Sequence, residues 1–234
     1  MIGFDQSTWV EMAPRAGSGA ILLVPVGATE QHGPHLPLTT DTDIALAVAT
    51  GAAQRVDRLV VAPPLAYGSS GEHQGFAGTL SIGGDATELV LVELGRSATV
   101  DFQRVVMVCA HGGNSVPLGR ALARLTAEGR AVTAWSPPWS GDLHAGRTET
   151  SVMLAIDPGR VRMERAEAGD PRPIDTLLPL LRIQGVRRIS ANGVLGDPTG
   201  ASADEGHRLL AIAVDDLVGM VQRPAVVSTR EVTG

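Results

Sequence analysis

Ile21-Leu-Leu-Val-Pro-Val-Gly27 is an unbroken apolar run that ends in glycine, and a polar segment starts at Thr29. A short run that is apolar at every position reads as a strand covered on both faces, the pattern of a parallel sheet. From Asp41 the period changes. Ile44, Leu46, Ala47, Val48 and Val56 recur at helical spacing, with Asp41 or Thr42 placed to cap. Residues 58–63 form a second β-branched run. Residues 85–102 read as a helix with Leu89, Val92, Leu94 and Ala98 on its apolar side. Residues 104–110 are a third strand, 115–129 a helix stopped by Gly129, and 131–136 a fourth strand. After that the rhythm breaks: 150–156 looks helical, 157–200 is irregular and rich in Pro, Gly and Arg, and a helix from 203 to about 222 closes the pattern. Strand–helix alternation of this kind predicts an α/β fold around a mostly parallel sheet, in a single domain spanning 1–234.

Composition narrows the function classes. At 234 residues and 44% hydrophobic, the chain is long enough to bury a core without disulfides or a structural metal. Its one cysteine, Cys109, excludes a four-cysteine zinc module. All 19 basic residues are arginine, so lysine chemistry (Schiff base, P-loop, lysine base) is excluded. The net charge is −6 with no basic run, against a nucleic-acid partner. No apolar stretch approaches the ~18 residues of a membrane span, and the first residues lack the basic-then-apolar pattern of a signal peptide. The expectation is a soluble, cytoplasmic protein.

Ligands of open parallel sheets bind beyond the carboxyl ends of the strands. Here each strand is followed by a polar cluster: Glu30 to His35 with Thr39 to Asp43, then Tyr67 to Gln74, then His111 to Asn114, then Asp142 to Thr150. Five of the six histidines fall in these segments, and His207 lies elsewhere. A single histidine is ordinarily a hydrogen-bonding residue, and Asp41 alone is an ordinary cap. What argues for a site is that every cluster arrives at the same sheet edge. Imidazoles and carboxylates without thiolates make a nitrogen–oxygen metal site. Glu30 and His32, two apart, would project to one side of an extended segment. Asp41 has two oxygens with which to bridge. Five or more ligands exceed what one catalytic zinc uses, which makes a pair of ions ~3.5–4 Å apart the expectation.

The segments V-P-V-G-A-T-E-Q-H-G-P-H-L-P-L-T-T-D-T (24–42), H-G-G-N (111–114) and H-A-G-R-T-E-T-S (144–151) resemble the creatininase family of metal-dependent amidohydrolases, over about 21–217. The resemblance implies a three-layer α/β/α sandwich and a homo-oligomer, a hexamer or larger. It implies two divalent ions per subunit, Zn2+, Fe2+ or Mn2+, held by Glu30, His32, Asp41, His111 and Glu149, with Asp41 bridging. His144 matches the family's catalytic histidine, with Glu149 beside it in the catalytic set. Tyr67, Glu72 and His73 are expected to face substrate, with Gly112, Gly113 and Asn114 offering backbone and amide groups. His35 is expected to orient a neighbour. The 67–74 segment and V-L-G-D-P-T (194–199) are most similar to family members that cut a modified precursor peptide near its C-terminus. The fragment released there is Val-Tyr-derived, already decarboxylated and cross-linked by a radical SAM enzyme. Creatinine-cleaving members carry glutamate where this chain has Gly113, so creatinine hydrolysis is not expected. Two alternatives stand beside the peptidase reading: another amidohydrolase of the family acting on a small cyclic amide or formamide, and a non-catalytic carrier of the modified peptide.

Overall fold

The computed structural model describes Phe4 and residues 7–142 and 144–223. Four strands, β1 (Ile21–Val26), β2 (Leu59–Val61), β3 (Arg104–Cys109) and β4 (Val132–Trp135), form one sheet in the order β2-β1-β3-β4. Every pairing is parallel, with Leu22 opposite Val60 on one side and Val105 on the other. The helices are α1 (Trp9–Gly17), α2 (Thr40–Ala53), α3 (Gly84–Asp101), α4 (Ser115–Ala127), α5 (Arg147–Ile156), α6 (Ile174–Gln184), α7 (Val186–Ile189) and α8 (Ala203–Gln222).

The apolar strands split their side chains between two cores. Leu22, Val24, Val26, Val105 and Met107 pack against Leu91 and Val92 of α3 and Leu118, Ala121 and Leu125 of α4. Ile21, Leu23, Val106 and Val108 pack on the other face against Val48, Ala49 and Ala52 of α2 and Ala213, Val214 and Leu217 of α8. This is the expected three-layer sandwich. Each Val, Leu, Ile or Met side chain among them, fully buried, contributes about 1.5–3 kcal/mol. The strand order also locates the site. The chain leaves β1 for β2 on one side and returns to place β3 on the other, so the loops after β1 and β3 diverge and open a crevice at the carboxyl edge.

Several expectations need correction. The buried side of α3 is Thr87, Leu91, Val92 and Gly95, whereas Leu89 and Leu94 are exposed. Small residues mark the contact: a Cβ on Gly95 would lie 2.6 Å from Leu125 of α4, so glycine lets the two helices close. The 157–200 segment is not irregular throughout. It contains α6, with Pro179 inside it, and α7, started after Gly185. Helix α5 begins at Arg147 rather than Thr150, because Asp142 accepts hydrogen bonds from the N–H groups of Arg147 and Thr148. Helix α1 was not expected; Glu11 accepts from the Thr8 N–H and steadies its first turn. Asp41 caps nothing: it lies one residue inside α2 with a buried side chain.

Gly27 joins fold to site. A Cβ there would fall 2.4 Å from both the backbone nitrogen and Oγ1 of Thr42, so the first turn of α2 lies directly on the end of β1. Gly27→Ala is expected to cost about 1–3 kcal/mol in urea unfolding by overpacking and to displace Asp41. A variant as stable as the wild type would contradict this contact.

Candidate metal centre

Glu30 and His32 are delivered by the loop after β1, Asp41 by the first turn of α2, His111 by the end of β3, and Glu149 by the first turn of α5. The backbone holds the first loop in place through the Glu30 N–H on Leu38 O and the Leu36 N–H on His32 O. Glu30, His32, Asp41, His111 and His144 are all buried. Asp41 divides its oxygens: Oδ1 lies 3.3 Å from His32 Nε2 and Oδ2 lies 3.2 Å from His111 Nδ1. On the first side Glu149 Oε2 stands 3.9 Å from His32 Nε2. On the second, Glu30 Oε2 stands 3.2 Å from His111 Nε2. Two groups result, His32–His144–Glu149 and Glu30–Asp41–His111, each with its donor atoms within 4.8 Å of one another. A third, Glu30–His73–His144, shares Glu30 with the second.

Outer contacts orient the imidazoles. His32 Nδ1 is 3.1 Å from the Glu30 carbonyl and donates to it, which directs Nε2 toward Asp41 and Glu149. His111 Nε2 donates to the Ser69 carbonyl at 2.9 Å, which leaves Nδ1 for the Asp41 side. Fixing the tautomer of a ligating histidine through its far nitrogen is how such sites are tuned. Glu149 Oε2 accepts the Ala145 N–H at 2.6 Å, and Ala145 adopts a left-handed φ of 52° to present it.

The donor set fits cations. Glu30 Oε1 and Oε2, His32 Nε2 and Asp41 Oδ2 are buried with no hydrogen-bond partner, four of the seven such side-chain atoms among the described residues. Burying three carboxylates together costs several kcal/mol per charge unless positive charge compensates. Burial pushes the Glu30 carboxyl up to about 8 and that of Glu149 up to about 7. Burial also works to raise Asp41, but His32 and His111 outweigh it and hold Asp41 well below the usual carboxylate range. Burial opposes charge on His32, yet Asp41, then Glu149 and Glu30, push it up to about 10. His111 is likewise raised by Glu30 and Asp41 against the cost of burial. Nitrogen and oxygen donors of this kind take Zn2+, Mn2+ or Fe2+.

The other expected residues divide. His73 is buried, with Nε2 3.3 Å from Glu30 Oε1, so it supports a carboxylate instead of lying on an outer loop. Burial, then the neighbouring His32 and His111, push it down to about 3. Asn114 is fully buried; its Oδ1 accepts the Ser69 N–H and its Nδ2 donates to the Gly27 carbonyl, so it braces two loops out of reach of solvent. Gly112 is exposed with open space where a Cβ would stand. A Cβ on Gly113 would meet Ser69 O, His111 Nε2 and Glu72 Oε1 within 2.5 Å, so Glu72 reaches this turn and no side chain fits there. Tyr67 is 49% exposed, beside the cluster in sequence but not buried with it. His35 Nε2 pairs with Thr150 Oγ1 at 2.8 Å, the orienting role expected of it. His207 is exposed on α8. Sequence reasoning missed Ser70, whose Oγ is 3.4 Å from His111 Nε2, and Gln31.

A family model, creatinine amidohydrolase, matches residues 5–221. The mycofactocin precursor peptide peptidase of Mycobacterium tuberculosis is 51% identical over 86% of this chain and 84% of its own length. That of Mycolicibacterium smegmatis is 50% identical over 87% and 85%. The creatinine amidohydrolase of Pseudomonas putida is 28% identical over 92% and 94%. Among solved structures, one named creatininase Mn superposes with a TM-score of 0.77 at 27% identity, covering 94% of this chain and 97% of that one. A creatininase variant of Zn-Zn type gives 0.75 at 27%, covering 94% and 96%. The protein is a metal-dependent hydrolase acting on C–N bonds. It belongs to the creatininase family.

Because Glu30 and His32 hold protons up to about 8 and 10, a cation entering at pH 7 must displace them. Calorimetry in buffers of different ionisation heat is expected to show net proton release on loading Zn2+ or Mn2+ into the stripped protein. Affinity should rise with pH through 7 to 8. Loading without proton release would contradict the ligand assignment.

Proposed function

We propose that the protein is a metal-dependent peptidase that cleaves the modified mycofactocin precursor peptide near its C-terminus and releases the cross-linked Val-Tyr-derived fragment. The observation that carries this reading is identity of 50–52% with peptidases of that name over some 86% of the chain, joined to the buried carboxylate–imidazole cluster. We further propose that Glu30, Asp41 and His111 hold one divalent ion and His32, Asp41 and Glu149 another, with Asp41 shared. When bound, such a pair supplies Lewis acidity toward an amide carbonyl and acidifies water near neutral pH.

The chain's own residues supply the rest. His144 is kept neutral by burial, and secondarily by His32 and His73. Its Nε2 donates to the Gln31 carbonyl at 2.9 Å, so Nδ1 carries the free lone pair, 3.8 Å from Glu30 Oε1. A neutral imidazole with a free nitrogen can take the proton of the attacking water at Nδ1 and return it to the leaving amine nitrogen, general base and then general acid. Gly112 leaves backbone open at the mouth for a peptide to approach. The absence of room for a side chain at 113 separates this mouth from that of the creatinine-cleaving pattern. A cytoplasmic homo-oligomer is part of the same reading, and no described helix is long and apolar enough to cross a membrane.

Mass spectrometry of the precursor peptide, radical-SAM-modified and unmodified, incubated with metal-loaded and chelated protein, tests this. The expected result is a C-terminal two-residue fragment from the modified peptide alone, and only with metal. His144→Ala should keep its metals and lose about 10²–10⁴-fold in turnover. No cleavage by a fully loaded protein that instead turns over a cyclic amide or formamide would overturn the peptide assignment.

A further inference from the structure

Gln31 lies between two expected ligands in sequence, and its side chain is buried. The orientation of its amide follows from one contact: Oε1 accepts the Gly33 N–H at 2.9 Å, and a backbone N–H can only donate. Nε2 is therefore the –NH2 group, with two protons to give. Three acceptor-capable atoms surround it: Gly193 O at 3.1 Å, His73 Nδ1 at 2.9 Å and His144 Nε2 at 2.9 Å. His144 Nε2 also lies 2.9 Å from the Gln31 backbone carbonyl, which accepts only. One assignment gives the two backbone carbonyls and His73 Nδ1 a donor each, and it leaves the 2.9 Å approach of His144 Nε2 to Gln31 Nε2 without a hydrogen bond. His144 donates from Nε2 to the Gln31 carbonyl, and the two amide protons go to Gly193 O and His73 Nδ1. His73 then carries its own proton on Nε2, which faces the Glu30 carboxylate with Oε1 3.3 Å away.

The fold makes room for this arrangement. A Cβ on Gly193 would stand 1.9 Å from Gln31 Oε1, and Gly193 takes a φ of +81° that favours glycine. The adjoining Leu195 pairs with His144 by two backbone hydrogen bonds, N–H of each to the carbonyl of the other. The rings of His73 and His144 pack with their centroids 4.4 Å apart.

We infer that Gln31 is a positioning residue: its side-chain amide and backbone carbonyl together lock His73 and His144 in the Nε2–H tautomer, so that His144 presents an unprotonated Nδ1 to the reaction space and His73 a proton to Glu30. The tautomers follow from geometry alone, and only their consequence for turnover rests on the hydrolase reading above. Gln31→Glu keeps the shape and the acceptor for Gly33 but cannot donate, and it turns His73 to the Nδ1–H form.

The test is a nitrogen–proton correlation spectrum of zinc-loaded protein labelled with 15N-histidine. Wild type is expected to show both His73 and His144 protonated on Nε2 and free on Nδ1. In Gln31→Glu, His73 should move its proton to Nδ1. Bound metal should be unchanged, KM should stay within about twofold, and kcat should fall about 10²-fold, the scale of a misplaced reacting group. Gly193→Ala, whose methyl enters the place of Oε1, should repeat the loss. A wild-type spectrum with His144 protonated on Nδ1 would overturn the assignment without any variant, whether or not the peptide is the substrate. So would a Gln31→Glu protein that keeps both tautomers and a near wild-type kcat.

Discussion

Three carboxylates, Glu30, Asp41 and Glu149, meet behind the carboxyl edge of the sheet, the first two buried and the third partly so. Carboxylates in such a place repel one another and lose hydration, a penalty of several kcal/mol per charge. Their proximity is tolerable only where positive charge stands between them. Asp41 is the pivot, because its two oxygens face two different histidines, one from the loop after β1 and one from the end of β3. The strand order creates that meeting point. A chain that steps from β1 outward and then back across β1 leaves diverging loops there, and only at that point do residues 30, 32, 41 and 111 share one crevice. The two cores on either side of the sheet supply the rigidity that keeps the charged groups together against their repulsion.

Much of this was legible in the sequence for a simple reason. Parallel strands buried on both faces are continuous apolar runs, and the residues that carry the chemistry lie within a few positions of the strand ends. Glu30, His32, Asp41 and His111 were therefore nameable from alternation and clustering, while the creatininase resemblance added His144 and Glu149. What was not legible depends on contacts that linear pattern does not carry. The buried side of α3 is built on Thr87 and Gly95, while Leu89 and Leu94 face solvent. Pro173, Pro179 and Gly185 concealed two helices in a stretch that reads as loop. Asp41 looked like a cap because it stands at a helix start, whereas its side chain is spent on histidines.

Within the site, the sequence named the residues that gather in the cluster but not the groups that hold them there. His73, expected to face substrate from a loop, is driven inside to hold Glu30. Asn114, expected at the mouth, ties the 68–70 loop to the end of β1. Gln31 had no signal at all, since its partners lie 42, 113 and 162 residues away. The relation to creatininases follows the same division. The frame is shared at 26–28% identity, and in this chain Glu72 reaches the Gly113 turn and leaves no space there for a side chain.

The most direct test of the shared carboxylate is anomalous diffraction from crystals of the metal-loaded protein, recorded across the absorption edge of the bound ion. Two peaks per chain are predicted, one among Glu30, Asp41 and His111 and one among His32, Asp41 and Glu149, with Asp41 between them. A single peak, or a pair in which Asp41 touches only one ion, would contradict the account.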